Sequence, residues 1–174
     1  MNKHSDLKRD TIKRISIKTF SDAYCLRGPR PRTMESASYN IPFLIGAAVI
    51  NGAVGPDQIA ESRLSDPNIL SVADKVEVIH DSKFDTYFPK MTVSEIEIES
   101  TSGIRYKTRV GRPRGDAQNP MSDKELTDKF KSLATRSISL EASEKVIETV
   151  KMLEKLSNVN ELTNIFQDKG REVE

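Results

Sequence analysis

The side chains able to do chemistry on their own are few: one cysteine, Cys25, and two histidines, His4 and His80, in 174 residues. A thiol becomes a nucleophile only beside a base or a cation, and the residues around Cys25 supply no predictable partner. It therefore reads as a small buried hydrophobe. His80 closes a strand-like stretch beside Asp81, a pairing able to tune a general base, although a strand-end histidine is also a common structural residue. One cysteine excludes an internal disulfide and a cysteine-based zinc cage, and two histidines argue against a structural zinc site. There is no phosphate-cradling glycine loop and no carboxylate cluster at calcium-loop spacing. Glu95, Glu97 and Glu99 alternate along an apparent strand, which puts three carboxylates on one face, expected to be solvated.

Two arginine pairs are better placed for recognition. Arg30 and Arg32 stand on a loop stiffened by Pro29 and Pro31, and Arg112 and Arg114 stand just ahead of Gly115-Asp116. A guanidinium fork matches a carboxylate through two parallel hydrogen bonds, so either pair can hold a di- or tricarboxylic acid. The helix start expected after Thr33 would add a favourable dipole for an anion. The alternative for each pair is a surface role, keeping a loop soluble.

The elements that must position these groups follow from apolar period and punctuation. Residues 12–20 alternate as a strand, with Ile15 and Ile17 on one face and Arg14, Ser16 and Lys18 on the other. Thr33 can cap a helix. Residues 37–50 are apolar nearly all round, the mark of a buried helix; Pro42 means that it starts near Ile41 or kinks there. Gly52 supplies a C-cap, Gly55-Pro56-Asp57 opens a short helix to Leu64, and Asp66-Pro67 caps another. Residues 75–80 form a strand with Val76 and Val78 inward. Residues 91–99 and 104–110 form a hairpin around Ser100-Thr101-Ser102-Gly103. After a loop at 112–120, Ser122-x-x-Glu125 is a capping box opening a helix to Arg136, followed by helices at 140–156 and 160–166. The fold class is α+β: a small, mostly antiparallel sheet with packed helices, then a C-terminal helical segment. The domains are a disordered basic start at 1–11, an α+β domain at 12–114, and a linker with helices at 115–174.

Charge and composition bound the partners. The chain carries 27 basic and 26 acidic side chains, a net +1, which excludes a strongly basic nucleic-acid glove. Residues 1–33 nonetheless hold +6 and the remainder −5, a division suited to association. No aromatic residue is interleaved with the basic ones before Phe20, which counts against RNA. The longest apolar run, 41–50, is half a membrane span and broken by Pro42, and no secretory signal follows the basic start. The expectation is a soluble, cytoplasmic protein without membrane or nucleic-acid contact.

Several ordered blocks resemble the C-terminal half of the MmgE/PrpD family, which includes 2-methylcitrate dehydratase and cis-aconitate decarboxylase. They are residues 12–20 with Pro31-Arg32-Thr33; Ala37-Ser38-Tyr39-Asn40-Ile41-Pro42-Phe43 running into Ala47-Ala48-Val49-Ile50-Asn51-Gly52 and Val54-Gly55; and Val76-Glu77-Val78-Ile79-His80-Asp81. The most specific is Gly115-Asp116-Ala117-Gln118-Asn119-Pro120-Met121-Ser122-Asp123-Lys124-Glu125-Leu126 with Lys129-Phe130. Leu153-Glu154-Lys155-Leu156 and Val159 close the set.

The resemblance implies a small α+β lid followed by helices that return to a large helical domain absent from this sequence. It also implies a large apolar surface on the tail helices. The family acts on small polycarboxylates without a metal or organic cofactor, and most of its acid–base residues belong to the helical domain. The lid residues that the resemblance turns toward substrate are Arg32, Ser38, Tyr39 and Phe43, the last at a position usually filled by tyrosine and here without a hydroxyl. The implied partner is a helical N-terminal half or subunit, within a homo- or hetero-oligomer such as a dimer. Activity is then expected only with that partner. The alternatives are a non-catalytic binding or assembly module that keeps the fold, or catalysis unaided through His80, Cys25 or the arginines.

Overall fold

The computed structural model describes residues 7–167, and the chain divides into two compact units, Met1–Pro113 and Arg114–Glu174. In the first unit a 3-10 turn at Arg9–Thr11 leads into β1 (Ile12–Thr19), followed by α1 (Ser21–Tyr24), α2 (Met34–Ser38) and α3 (Ile41–Asn51). Two 3-10 turns, Pro56–Gln58 and Glu61–Arg63, precede α4 (Pro67–Ala73) and β2 (Val76–His80). A turn at Ser82–Phe84 then leads to the hairpin of β3 (Val93–Ser100) and β4 (Arg105–Gly111). The strand order is β2-β1-β3-β4. β1 runs parallel to β2, with Thr19 opposite His80, and antiparallel to β3. The second unit holds α5 (Asp123–Ala134), α6 (Leu140–Lys151) and α7 (Asn160–Thr163). The α+β class and the helical C-terminal segment are thus as the sequence pattern requires.

The alternation of β1 decides which face is buried. Ile15 sits opposite Ile98 and Ile17 opposite Ile96, and these side chains pack with Val72 and with Ile41, Ile45 and Val49 of α3. A second cluster joins Ala37, Phe43, Ala47, Leu64 and Ile69 beneath α2, and a third gathers Phe20, Phe84 and Val93. Gly46 is needed at the α3–α4 crossing: a Cβ there would lie 2.5 Å from the backbone oxygen of Ile69. α3 ends at Gly52, whose φ of 74° closes the helix as expected.

Of the two alternatives that Pro42 left, the structure takes the first: α3 starts at Ile41, capped by Asn40, with Pro42 in its first turn where the missing N–H costs nothing. Other sequence expectations change. Residues 55–64 form two 3-10 turns in place of one helix. The start is ordered from residue 7 on, since Leu7 is buried in the first core cluster and Arg9–Thr11 makes a turn; residues 1–6 lie outside the described part. The alternating glutamates are not a freely solvated face.

That charged face is a lattice. Glu95 pairs with Lys107, Glu97 with Arg105, and Glu99 with Lys13, Arg14 and Arg105. The register shifts between Ile12 and Arg14; the extra residue there, Lys13, lets two successive basic side chains reach one carboxylate. The Lys13 ammonium, 2.7 Å away, holds Glu99 below the usual carboxylate range, and Lys107 does the same for Glu95.

In the second unit Ser122 and Glu125 form the capping box read from the sequence. Ile138, Ala142 and Val146 are buried, with Phe130, Ala134, Leu162 and Ile165 packed around them. Leu126, Leu133, Leu140, Val150, Met152, Leu153, Val159 and Phe166 remain exposed. A groove of about 350 Å³ between α5 and α6 is lined by Leu126, Phe130, Val146, Ile147 and Val150.

Candidate functional site

The loop between α1 and α2 is built around Asn40. Its side-chain amide donates to the carbonyls of Gly28 (3.0 Å) and Pro29 (2.9 Å), while its oxygen accepts the Phe43 N–H and caps α3. Ile41 N–H donates to the Leu26 carbonyl at 2.8 Å. One buried amide therefore locks the proline loop onto the start of a helix, and the arginines ride on that loop. The sequence reading did not single Asn40 out. The available signal was Asn two residues before a proline at the head of an apolar run, an N-cap signature.

Thr33 caps α2, and Ser36 answers it, its hydroxyl oxygen accepting the N–H groups of Arg32 and Thr33. This box fixes the backbone carrying Arg32 and, one short helix later, Ser38 and Tyr39. Arg32 is exposed, and among the described residues its guanidinium engages no carboxylate. Tyr39 is 64% exposed. Ser38 is exposed, its hydroxyl donating to the Met34 carbonyl. Phe43 differs: at 1% exposure it lies in the core with Ala37, Ala47, Leu64 and Ile69 and has no surface to offer a ligand. Its large side chain was drawn inward by the buried face of α3.

The other arginines are committed elsewhere. Arg30 pairs with Asp74 at 2.7 Å, both well exposed, a contact worth little to stability. Arg114 bonds to Glu125, to the Asn119 side-chain oxygen and to the Pro120 carbonyl, closing the 114–125 loop on itself. Arg114 first, then the Ser122 N–H and hydroxyl, hold Glu125 down at about 2. Arg112 has an interaction within the chain as well. Unlike Arg30 and Arg114, Arg32 keeps a fork unengaged by a carboxylate among the described residues.

His80 pairs with a different aspartate from the one beside it. Neighbours along a strand point to opposite faces. The Asp81 carboxylate turns to the Lys83 N–H and ammonium, while His80 Nε2 lies 2.7 Å from Asp85. Asp85 also accepts the Ser21 N–H, and the His80 contact, followed by that bond, lowers its pKa. The Tyr24 ring stands 6.0 Å from the imidazole, with the Arg27 guanidinium 3.8 Å over the tyrosine face. Cys25, expected to be buried, is exposed, because the four-residue α1 turns it outward at a loop. A separate cavity of about 230 Å³ opens on the charged sheet face among Arg14, Lys18, Glu95, Glu97 and Arg105. Both signs line it, so it offers an anion no one-signed field. Among the described residues no group of three or more His, Cys, Asp or Glu could hold a metal ion, and no helix is long and apolar enough to cross a membrane.

Residues 1–155 match the description of the MmgE/PrpD C-terminal domain. The chain belongs to the MmgE/PrpD family. It is 25% identical over 161 residues to the human cis-aconitate decarboxylase, covering 92% of this chain and 33% of that protein. It is 26% identical over 155 residues to the cis-aconitate decarboxylase-like protein oryM of Aspergillus oryzae, covering 87% and 32%. The mouse cis-aconitate decarboxylase matches at 24% over 162 residues, covering 91% and 32%. The chain therefore spans about a third of the length of the curated relatives it matches. A C-terminal domain in this family implies an N-terminal region to go with it.

Proposed function

We propose that this chain is the lid and tail portion of an MmgE/PrpD-type lyase acting on a small polycarboxylate of the cis-aconitate or 2-methylcitrate kind by cofactor-free acid–base chemistry. It works only with a helical N-terminal domain or subunit. The observation that carries the reading is the Arg32 fork, unengaged by any carboxylate among the described residues and held on a rigid, Asn40-locked loop within reach of α2, in a chain of this family. Arg32 takes a substrate carboxylate through paired hydrogen bonds. The exposed Tyr39 phenol donates a third, Ser38 offers an oxygen as acceptor, and Phe43 supports them from beneath as packing.

The apolar tail supports the partner requirement: eight large hydrophobic side chains from Leu126 to Phe166 are 42–62% exposed, a surface that a helical partner would cover. A second reading, a binding or assembly module without catalysis, draws on Phe43, which lacks the hydroxyl implied at its position. Co-expression with a helical MmgE/PrpD N-terminal region separates the two. The lyase reading expects a stable complex that consumes cis-aconitate or 2-methylcitrate, with Arg32→Gln lowering kcat/KM at least tenfold and neither polypeptide active alone. A complex that forms but leaves both acids unchanged favours the assembly module. A chain that stays monomeric beside the helical region defeats the lyase reading.

A further inference from the structure

We propose that the outer edge of β4 takes up an extended acidic segment of a partner protein, carboxylates alternating with apolar residues, as a fifth, antiparallel strand of the sheet. The inference stands apart from the polycarboxylate reading and survives its failure. β4 ends the strand order, so one of its sides has no neighbouring strand among the described residues. Every residue of Arg105–Gly111 except Tyr106 is exposed. The strand holds no proline, and its register with β3 runs without a bulge, so two common means of blunting an edge are missing. The hairpin register shows which backbone groups are unspent. Hydrogen-bonded and non-hydrogen-bonded residue pairs alternate along an antiparallel ladder. Ser100 N–H donates to the Ile104 carbonyl at 2.9 Å, and the same register continues through Ile98–Tyr106 and Ile96–Thr108 to Ser94–Val110. Tyr106, Thr108 and Val110 therefore turn their N–H and C=O groups to β3. Arg105, Lys107, Arg109 and Gly111 turn theirs to the outer side.

That parity dictates the sequence of the occupant. Residues paired across a sheet share a face, so those opposite Arg105, Lys107 and Arg109 lie on the charged face, against three cations, and are best carboxylates. Arg109 forms no ion pair with a carboxylate among the described residues; its guanidinium lies 5.0 Å over the Tyr87 ring. The residues between fall on the other face, beside Val110, 48% exposed, and beside Tyr106, which borders the first core cluster. Apolar side chains there extend that cluster outward. β3 already meets β4 with this pattern from the inner side: Glu95, Glu97 and Glu99 oppose Arg109, Lys107 and Arg105, with Ile96 and Ile98 between. Copies of this chain do not fit. A second β4 brought up antiparallel would set Arg and Lys against Arg and Lys. The opposite edge of the sheet, β2, brings one carboxylate, Glu77, beside Ile79 on the charged face, where three cations wait. The edge is closed to its own kind and open to an acidic partner.

The test titrates the full chain, labelled with 15N, with an end-capped peptide of the β3 sequence, Val-Ser-Glu-Ile-Glu-Ile-Glu-Ser. Saturable shifts of the residue 105–111 amides are expected at peptide concentrations of about 1 mM or below, weakening as salt is raised. Hydrogen exchange at the amides of Arg105, Lys107 and Arg109 should slow on binding. In the antiparallel pairing the peptide glutamates exchange both backbone hydrogen bonds with those three residues. N-methylation of the glutamates should therefore abolish binding, and N-methylation of the two isoleucines should weaken it less than threefold. Lys107→Glu should weaken it at least tenfold, with β1 amides reporting the fold. No shift along β4 overturns the inference, as does equal loss from the two methylation patterns. Equal binding by a peptide with serine in place of isoleucine overturns it too, marking loose attraction to any polyanion in place of a strand. A chain that dimerises through β4 without peptide has the same force. The methylated peptides act on the parent chain, so they decide the matter even where Lys107→Glu fails to fold.

Discussion

The two units spend their apolar residues differently. The sheet unit buries three clusters, and its remaining open face is covered with charges that neutralise one another across β1, β3 and β4. The helical unit buries one small cluster and leaves leucines, valines and a phenylalanine outside. The first solves its surface problem within itself. In the second, stability is supplied mainly by local devices: a capping box, an arginine-closed loop and helix-spaced ion pairs such as Lys124–Asp128 and Glu141–Lys145. Core depth governs the one unit, end chemistry the other.

Breaking the sheet unit should therefore need a core change. Phe43→Ala empties a fully buried ring site and should cost about 3–5 kcal/mol in denaturant unfolding. A loss below 1 kcal/mol would show that α3 is not packed as described. Gly46→Ala comes next: with the Ile69 backbone oxygen 2.5 Å from the new Cβ, overpacking should cost about 1–3 kcal/mol. No loss of thermal stability would mean that α4 moves freely away from α3.

The helical unit should answer instead to its caps and to acid. Ser122→Ala removes one half of the capping box and should cost about 1 kcal/mol, read from far-UV helicity on melting. Because Glu125 is lowered from 4.5 to about 2, its contribution is fully present above pH 4.5 and is lost as pH falls toward 2. Acid titration of the parent chain should show that helix loss, and Glu125→Gln should remove its pH dependence; an identical profile in both would refute the Arg114–Glu125 assignment. The smallest effect is on the exposed leucine: Leu126→Glu should change the chain's own stability by no more than about 0.5 kcal/mol. The same change should abolish capture by a helical partner. Equal capture by parent and variant would place the partner elsewhere.

Signals in the sequence hold where the physics is local. The alternation of Ile15 and Ile17, the Thr33 and Ser122 caps, the Asp66-Pro67 start and the Gly52 stop each act within a few residues, and each forms as expected. Departures occur where several carboxylates compete for one basic group. Arg30 finds Asp74, Arg114 closes on Glu125, and His80 takes Asp85 rather than its neighbour. No spacing rule selects among those carboxylates. The 55–64 stretch breaks into 3-10 turns; Leu64 among them is drawn into the Phe43 cluster, a tertiary contact with no local period.

By itself, then, the sequence determined the class of fold, the order of its strands and helices along the chain, and the family blocks from Ile12 to Val159, because period, caps and residue identity are properties of neighbouring residues. The tertiary structure decided which charges stay available. It spent Arg30, Arg114 and the Glu95–Glu99 ladder on internal partners, left the fork of Arg32 without a carboxylate among the described residues, and turned Phe43 into core. A side chain's function depends on what remains unpaired after folding, and pairing across tens of residues is settled only when the chain has packed.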